Sequence, residues 1–171
     1  QLRGDSALLL EQGPTFQFLT SKTTVRLHQP LTGEDRWKAE FPSKSLVATL
    51  DEDELLVVPP DGKAERVDIA SGKRMPLEPI NFNSLKGRRT ESFAMIDDDH
   101  IYFIANVQDT TGMHHYGESL PSVRANGAIF AWNRSDGKLA WRQDVKNQNL
   151  VVDRFRSSPV LLLVSRSWKQ K

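Results

Sequence analysis

Two stretches of this chain, VRLHQPLTGEDRW (residues 25–37) and IFAWNRSDGKLAW (residues 129–141), superimpose without a gap. In each, alternating apolar positions lead into a polar turn, a glycine, three further residues and a tryptophan. A third copy, AERVDIASGKRMP (residues 64–76), keeps the turn at Gly72 but has Pro76 where the tryptophan would stand. Period-two alternation marks half-buried strands, and the glycine supplies the positive φ that a tight strand connection requires. Repetition limits the fold more than any single element does, because each copy must be the same supersecondary unit, stacked on its neighbours.

A second unit recurs between the glycine turns. LVATLDEDELLVVPP (residues 46–60) aligns without gaps to SFAMIDDDHIYFIAN (residues 92–106), each being a strand, an acidic turn and a strand. Weaker versions are ALLLEQGPTFQFLTS (residues 7–21) and DRFRSSPVLLLVSRS (residues 153–167). The marker positions Leu10, Leu50, Ile96 and Phe155 give a base period of roughly 40 residues, broken by insertions near 81–89 and within 107–126. Hairpin plus glycine turn makes four strands per repeat, and helical periodicity is nowhere sustained. The prediction is an all-β chain in one domain, 1–171. Its expected architecture is a β-propeller of about four four-stranded antiparallel blades, with an inserted loop at about 106–126. Propellers with so few blades are unusual, so the chain is expected to be part of a larger one.

At AWNRSDGKLAW (residues 131–141) the sequence resembles the PQQ-type, or tryptophan-docking, propeller repeat of the quinoprotein dehydrogenases, whose pattern is roughly A-x-D-x-x-T-G-x-x-x-W. Ala131, Gly137 and Trp141 match it, while Asn133 and Asp136 replace the Asp and Thr. In the copy at 25–37, Thr32, Gly33 and Trp37 fit; in that at 64–76, Asp68 and Gly72 fit but Arg66 and Pro76 do not. The resemblance implies that Gly33, Trp37, Gly72, Gly137 and Trp141 are structural docking residues, the ring of each tryptophan lying on a turn of the next blade. It also implies an extracytoplasmic, bacterial setting in the periplasm or cell envelope.

The family contains quinone-dependent enzymes and outer-membrane assembly scaffolds, which divides the functional expectation. An enzyme would hold PQQ over Ca²⁺, often beneath a vicinal disulfide, and the chain has no cysteine. The acidic groups Asp51, Glu52, Asp53, Glu54 and Asp97, Asp98, Asp99 fall in the same turn of two successive repeats, where they read as solvated hairpin turns. They lack the glycine and distal glutamate of a calcium loop. No phosphate loop, nucleophile elbow or H-E-x-x-H is present.

The insertion instead gathers chemistry into one place, with His114, His115, Tyr116, Glu118 and Arg124 as the candidate binding loop. Adjacent histidines in extended chain point to opposite sides, which argues against one metal shared between them. Net charge is +1, although residues 124–171 carry ten Lys or Arg against three Asp. No aromatic-interleaved basic helix accompanies them, so nucleic acid is not expected. The longest apolar cluster, 160–164, has strand length only, which gives no membrane span.

The reading is therefore a non-catalytic scaffold with no cofactor and a protein partner. Self-association, or the remaining blades of a longer chain, is the further possibility. A quinoprotein dehydrogenase fragment is the alternative, and a carbohydrate- or polymer-binding propeller the second alternative.

Overall fold

The structure, a computed structural model, describes residues 2–3, 5–12, 22–108, 122–152, 155 and 160–165. It is all-β, with three antiparallel sheets and one short 3-10 turn, Phe82–Ser84. Compactness divides the chain into two units, Gln1–Asn81 and Phe82–Lys171.

The first unit holds two four-stranded meanders. β1 (Leu2–Arg3), β2 (Ser6–Gln12), β3 (Thr23–Gln29) and β4 (Glu34–Phe41) pair in chain order, as do β5 (Leu46–Thr49), β6 (Glu54–Val58), β7 (Glu65–Asp68) and β8 (Arg74–Pro76). Their core is one cluster shared by both sheets: Val25, Leu27 and Phe41 from the first, Leu55, Val57, Val67 and Ile69 from the second, all buried. β3 shows the alternation read from the sequence, with Thr23, Val25 and Leu27 inward. In β6 four successive residues, Leu55 to Val58, are buried, as suits a central strand covered on both faces.

The second unit is a single sheet of β9 (Arg89–Ile96), β10 (His100–Val107), β11 (Ser122–Asn133), β12 (Leu139–Val151) and β13 (Leu162–Val164). Ile104, Ala125, Ile129, Val145 and Leu150 form its main core, with Tyr102, Ala131 and Phe155 in a second cluster.

Two expectations need correction. The first repeat does not place a hairpin at 7–21: Ser6–Gln12 pairs directly with β3, Leu8 opposite Leu27 and Leu10 opposite Val25, and its other neighbour is the short β1. Second, the described residues form three sheets rather than four. β12 runs on to Val151, so its last residues give Leu162–Val164 a partner, with Asn149 opposite Val164 and Val151 opposite Leu162. The strand expected to belong to a fourth blade thus becomes the fifth strand of the third sheet.

Candidate functional site

The three glycine turns share one construction. Each glycine N–H donates to the carbonyl four residues earlier, Gly33 to Gln29 (2.8 Å), Gly72 to Asp68 (2.8 Å) and Gly137 to Asn133 (2.9 Å). Their φ angles are 77°, 72° and 72°, the left-handed conformation that glycine adopts without a Cβ penalty. In the second turn Asp68 Oδ1 also accepts the N–H of Ser71 at 2.7 Å, which gives the Asp of the repeat its physical reason.

Within the first unit, the Trp37 ring lies on the Gly72 turn. A Cβ added at Gly72 would stand 2.6 Å from Trp37 Cγ, and Trp37 Nε1–H donates to the Ile69 carbonyl at 2.8 Å. The glycine is thus needed twice, for its φ and for the space the indole occupies. Trp37 sits opposite Leu27, at a register shift that offsets the next pair, His28 and Asp35. Trp141 stands at the same kind of irregularity, opposite Ala131 with a shift before Trp132. Gly137 is buried and Gly33 exposed.

Trp141 is 37% exposed. Its ring lies 5.9 Å from that of Tyr102, which meets Phe155 edge-on at 5.3 Å. Beside it an open hollow of about 540 Å³ is lined by Ile129, Val160, Leu161 and Leu163, with Asp97, Asp99, His100 and Gln143 supplying its polar part. Val160 and Leu162 are more than half exposed, and β13 is the edge of the sheet among the described residues. An indole, aliphatic side chains and a strand edge together make a surface suited to binding another polypeptide.

Two polar groups of the hollow, the Asp97 carboxylate and the Tyr102 hydroxyl, are occupied in holding it together. Asp97 Oδ1 accepts the backbone N–H groups of Asp99 (2.9 Å) and His100 (2.6 Å), while Oδ2 accepts the Tyr102 hydroxyl at 2.7 Å. Asp51 caps the corresponding turn of the second sheet in the same way, accepting from Asp53 and Glu54. Burial pushes the Tyr102 phenol up, and the Asp97 carboxylate raises it further, so it stays neutral across the physiological range. Asp97 lies below its ordinary value: burial opposes its ionisation, but the hydrogen bonds from Tyr102 and from the His100 and Asp99 amides outweigh it.

A carboxylate depressed in the folded state contributes stability above its unfolded pKa, about 3.9 for Asp. That contribution is lost as pH falls through the lower folded value. Asp97→Asn is therefore expected to melt at a lower temperature than the wild type at pH 6, with the gap closing toward pH 2. A constant gap across a series of thermal melts would contradict this.

Of the candidate binding loop, His114, His115, Tyr116 and Glu118 lie outside the described residues. Arg124 is exposed on β11, where its guanidinium donates to Asn147 Oδ1 at 3.2 Å. The strands continue into the predicted insertion from both sides, β10 to Val107 and β11 from Ser122.

Sequence reasoning missed the clasp at this level. The Asn126 amide N–H donates to Asn106 Oδ1 (2.7 Å), and Asn106 Nδ2 to the Arg124 carbonyl (2.8 Å). Asn126 Nδ2 donates to the Val107 carbonyl (3.1 Å), and Asn126 Oδ1 accepts the Asn147 amide N–H (3.1 Å). Register shifts fall here between β9 and β10 and between β11 and β12, and the two asparagines satisfy backbone groups that the shifted ladders leave over. Two buried asparagines flanking a strand glycine were the available signal. No group of three or more His, Cys, Asp or Glu placed to hold a metal occurs among the described residues. Nor is any helix among them long and apolar enough to cross a membrane.

No protein-family model matches the chain, and no curated protein does. Solved structures similar to it include a europium-containing methanol dehydrogenase, with a TM-score of 0.49 and 11% identity over 91% of this chain and 25% of that one. The quinohemoprotein alcohol dehydrogenase from Comamonas testosteroni gives 0.41 and 17% over 81% and 21%, and BamB from Moraxella catarrhalis 0.32 and 12% over 85% and 60%. The chain spans about a quarter of the length of the methanol dehydrogenase and less of the alcohol dehydrogenase.

Proposed function

We propose that this chain is a non-catalytic protein-interaction scaffold built on PQQ-like propeller repeats, acting outside the cytoplasm in the cell envelope. The observation that carries the reading is the hollow at Trp141. It offers a half-exposed indole and exposed aliphatic side chains, while both oxygens of its best-placed carboxylate, Asp97, are committed to a turn and to Tyr102. A general base needs a lone pair directed at substrate, and Asp97 directs three hydrogen bonds, two at Oδ1 and one at Oδ2, into the fold. The extracytoplasmic setting belongs to the same reading and rests on the repeat resemblance.

The test has two arms. Purified protein given PQQ, Ca²⁺, an alcohol and an artificial electron acceptor is expected to show no quinone-dependent reduction. A photo-crosslinking residue at Gln143, in the hollow, is expected to capture protein, and one at Glu52, in the other acidic turn, is not. Saturable quinone binding with turnover would overturn the proposal, as would equal capture at both positions.

A further inference from the structure

The asparagine clasp closes over a chemically reactive pair. Asn126–Gly127 is the one Asn-Gly dipeptide of the sequence. In such a pair the nitrogen of the glycine peptide, unshielded by a side chain, attacks the asparagine Cγ. The N–Cγ bond forms, the Cγ–Nδ2 bond breaks and ammonia leaves; water then opens the cyclic imide to aspartate or isoaspartate. One water is consumed, one ammonia is released and nothing is oxidised or reduced, so neither an enzyme nor a cofactor is required.

The fold demands both members of this pair. Gly127 holds φ at 153°, and a Cβ there would stand 2.2 Å from the Ala105 carbonyl oxygen, so no bulkier and more slowly reacting neighbour can follow the asparagine. Asn126 must be an amide because it donates and accepts at once: Nδ2 donates to the Val107 carbonyl of β10 and Oδ1 accepts the Asn147 N–H of β12, both at 3.1 Å. The same two bonds restrain the reaction. They hold both ends of the side-chain amide on the neighbouring strands, Asn106 Oδ1 holds the residue's own N–H at 2.7 Å, and the residue is 7% exposed. Cγ reaches the Gly127 nitrogen once both side-chain hydrogen bonds have opened together, in a local opening of the sheet.

We propose that Asn126 is a site of spontaneous deamidation gated by the clasp, and that the reaction makes an opening of the clasp permanent. Aspartate has no hydrogen to give the Val107 carbonyl and brings a charge into a buried position. Isoaspartate adds a carbon to the main chain of β11, which breaks the register that pairs Gly127 with Asn106. Either product leaves β10, β11 and β12 untied beside their register shifts, so an opening that would have reclosed does not. All the groups involved lie within the second unit, and the site does not depend on the Trp141 hollow.

Peptide mapping by mass spectrometry tests this on the full chain, incubated at pH 8 with and without urea. Asn126 is expected to convert at least about ten-fold more slowly in the folded protein than in urea, because two hydrogen bonds must open first. Asn106→Ala, which removes one partner of the clasp and neither reacting group, is expected to convert at least about three-fold faster than the folded wild type. Trp37→Ala, in the first unit, is the control for general instability and should convert at the wild-type rate. The converted wild-type protein carries an extra negative charge. After separation by ion exchange, its Asn126 and Asn147 amides should exchange hydrogen faster than those of unconverted protein.

Equal rates with and without urea, or no conversion in urea, overturn the proposal, as does an Asn106→Ala rate equal to that of the wild type. Equal accelerations in Asn106→Ala and Trp37→Ala overturn it too, because the gate would then be global unfolding. An Asn106→Ala chain that fails to fold is recognised by converting at the urea rate, and the exchange comparison on wild-type protein then decides. Converted protein whose amides exchange at the unconverted rate would show that the product fits and that nothing is made permanent.

Discussion

Replacing Gly127 with alanine is expected to cost more than about 4 kcal/mol, a loss reserved for substitutions that break a named structural device. The added Cβ would stand 2.2 Å from the Ala105 carbonyl oxygen and 3.4 Å from the Val107 nitrogen, and the residue holds φ at 153°. The obstacle is backbone, within the β10–β11 ladder where Asn106 faces Gly127 and Ala105 faces Ala128. No rotamer can relieve it, so relief means parting two strands that bury Ile104, Ile129 and Phe130. Urea unfolding followed by far-UV circular dichroism would measure the loss. A cost below about 1 kcal/mol, the size of an ordinary glycine-to-alanine effect, would show that the strands do not approach as described.

Trp37→Ala is expected to lose about 3 kcal/mol, the lower end of the range for deleting a large aromatic side chain because Trp37 is only partly buried. The substitution removes the ring from Gly72 and leaves the Ile69 carbonyl without its donor. Trp37→Phe separates the two effects: keeping a ring but no N–H, it should lose only about 1 kcal/mol, the net worth of one hydrogen bond. Denaturant melts of both variants check the division. Equal losses in the two would mean that the hydrogen bond, not the packing, joins the sheets of the first unit.

The sequence was legible where local chemistry and periodicity pointed the same way. The stretches at 25–37 and 129–141 align residue for residue, and the structure gives each the same glycine turn and a register shift beside the tryptophan. The acidic turns at 51 and 97 were recognisable as hairpin turns because an aspartate accepting the N–H groups two and three residues ahead is a local device.

Pairing was harder to read. The apolar run of residues 7–10 marks a strand but not which strand lies alongside it, and the pairing with β3 is set by partners some twenty residues away. The same limit hid β13: an apolar run of strand length carries no mark of the sheet it will join, and only the length of β12 decides. The Trp141 hollow escaped for a related reason. Its lining comes from β9–β10, β11, β12 and the 160–163 stretch, positions far apart in sequence, whereas the residues of the insertion are neighbours along the chain.

The asparagine clasp has a consequence for how such a protein can change. Asn106 and Asn126 tie β10 to β11 by side-chain-to-backbone hydrogen bonds just where the chain leaves the sheet and returns. The described β10–β11 pairing ends there, at Asn106 opposite Gly127, with its leftover backbone groups already satisfied, while β11 from Ser122 to Ala125 is held by β12. The clasp works as a socket into which evolution, or an engineer, can fit a different recognition cassette while the sheet beneath keeps its register.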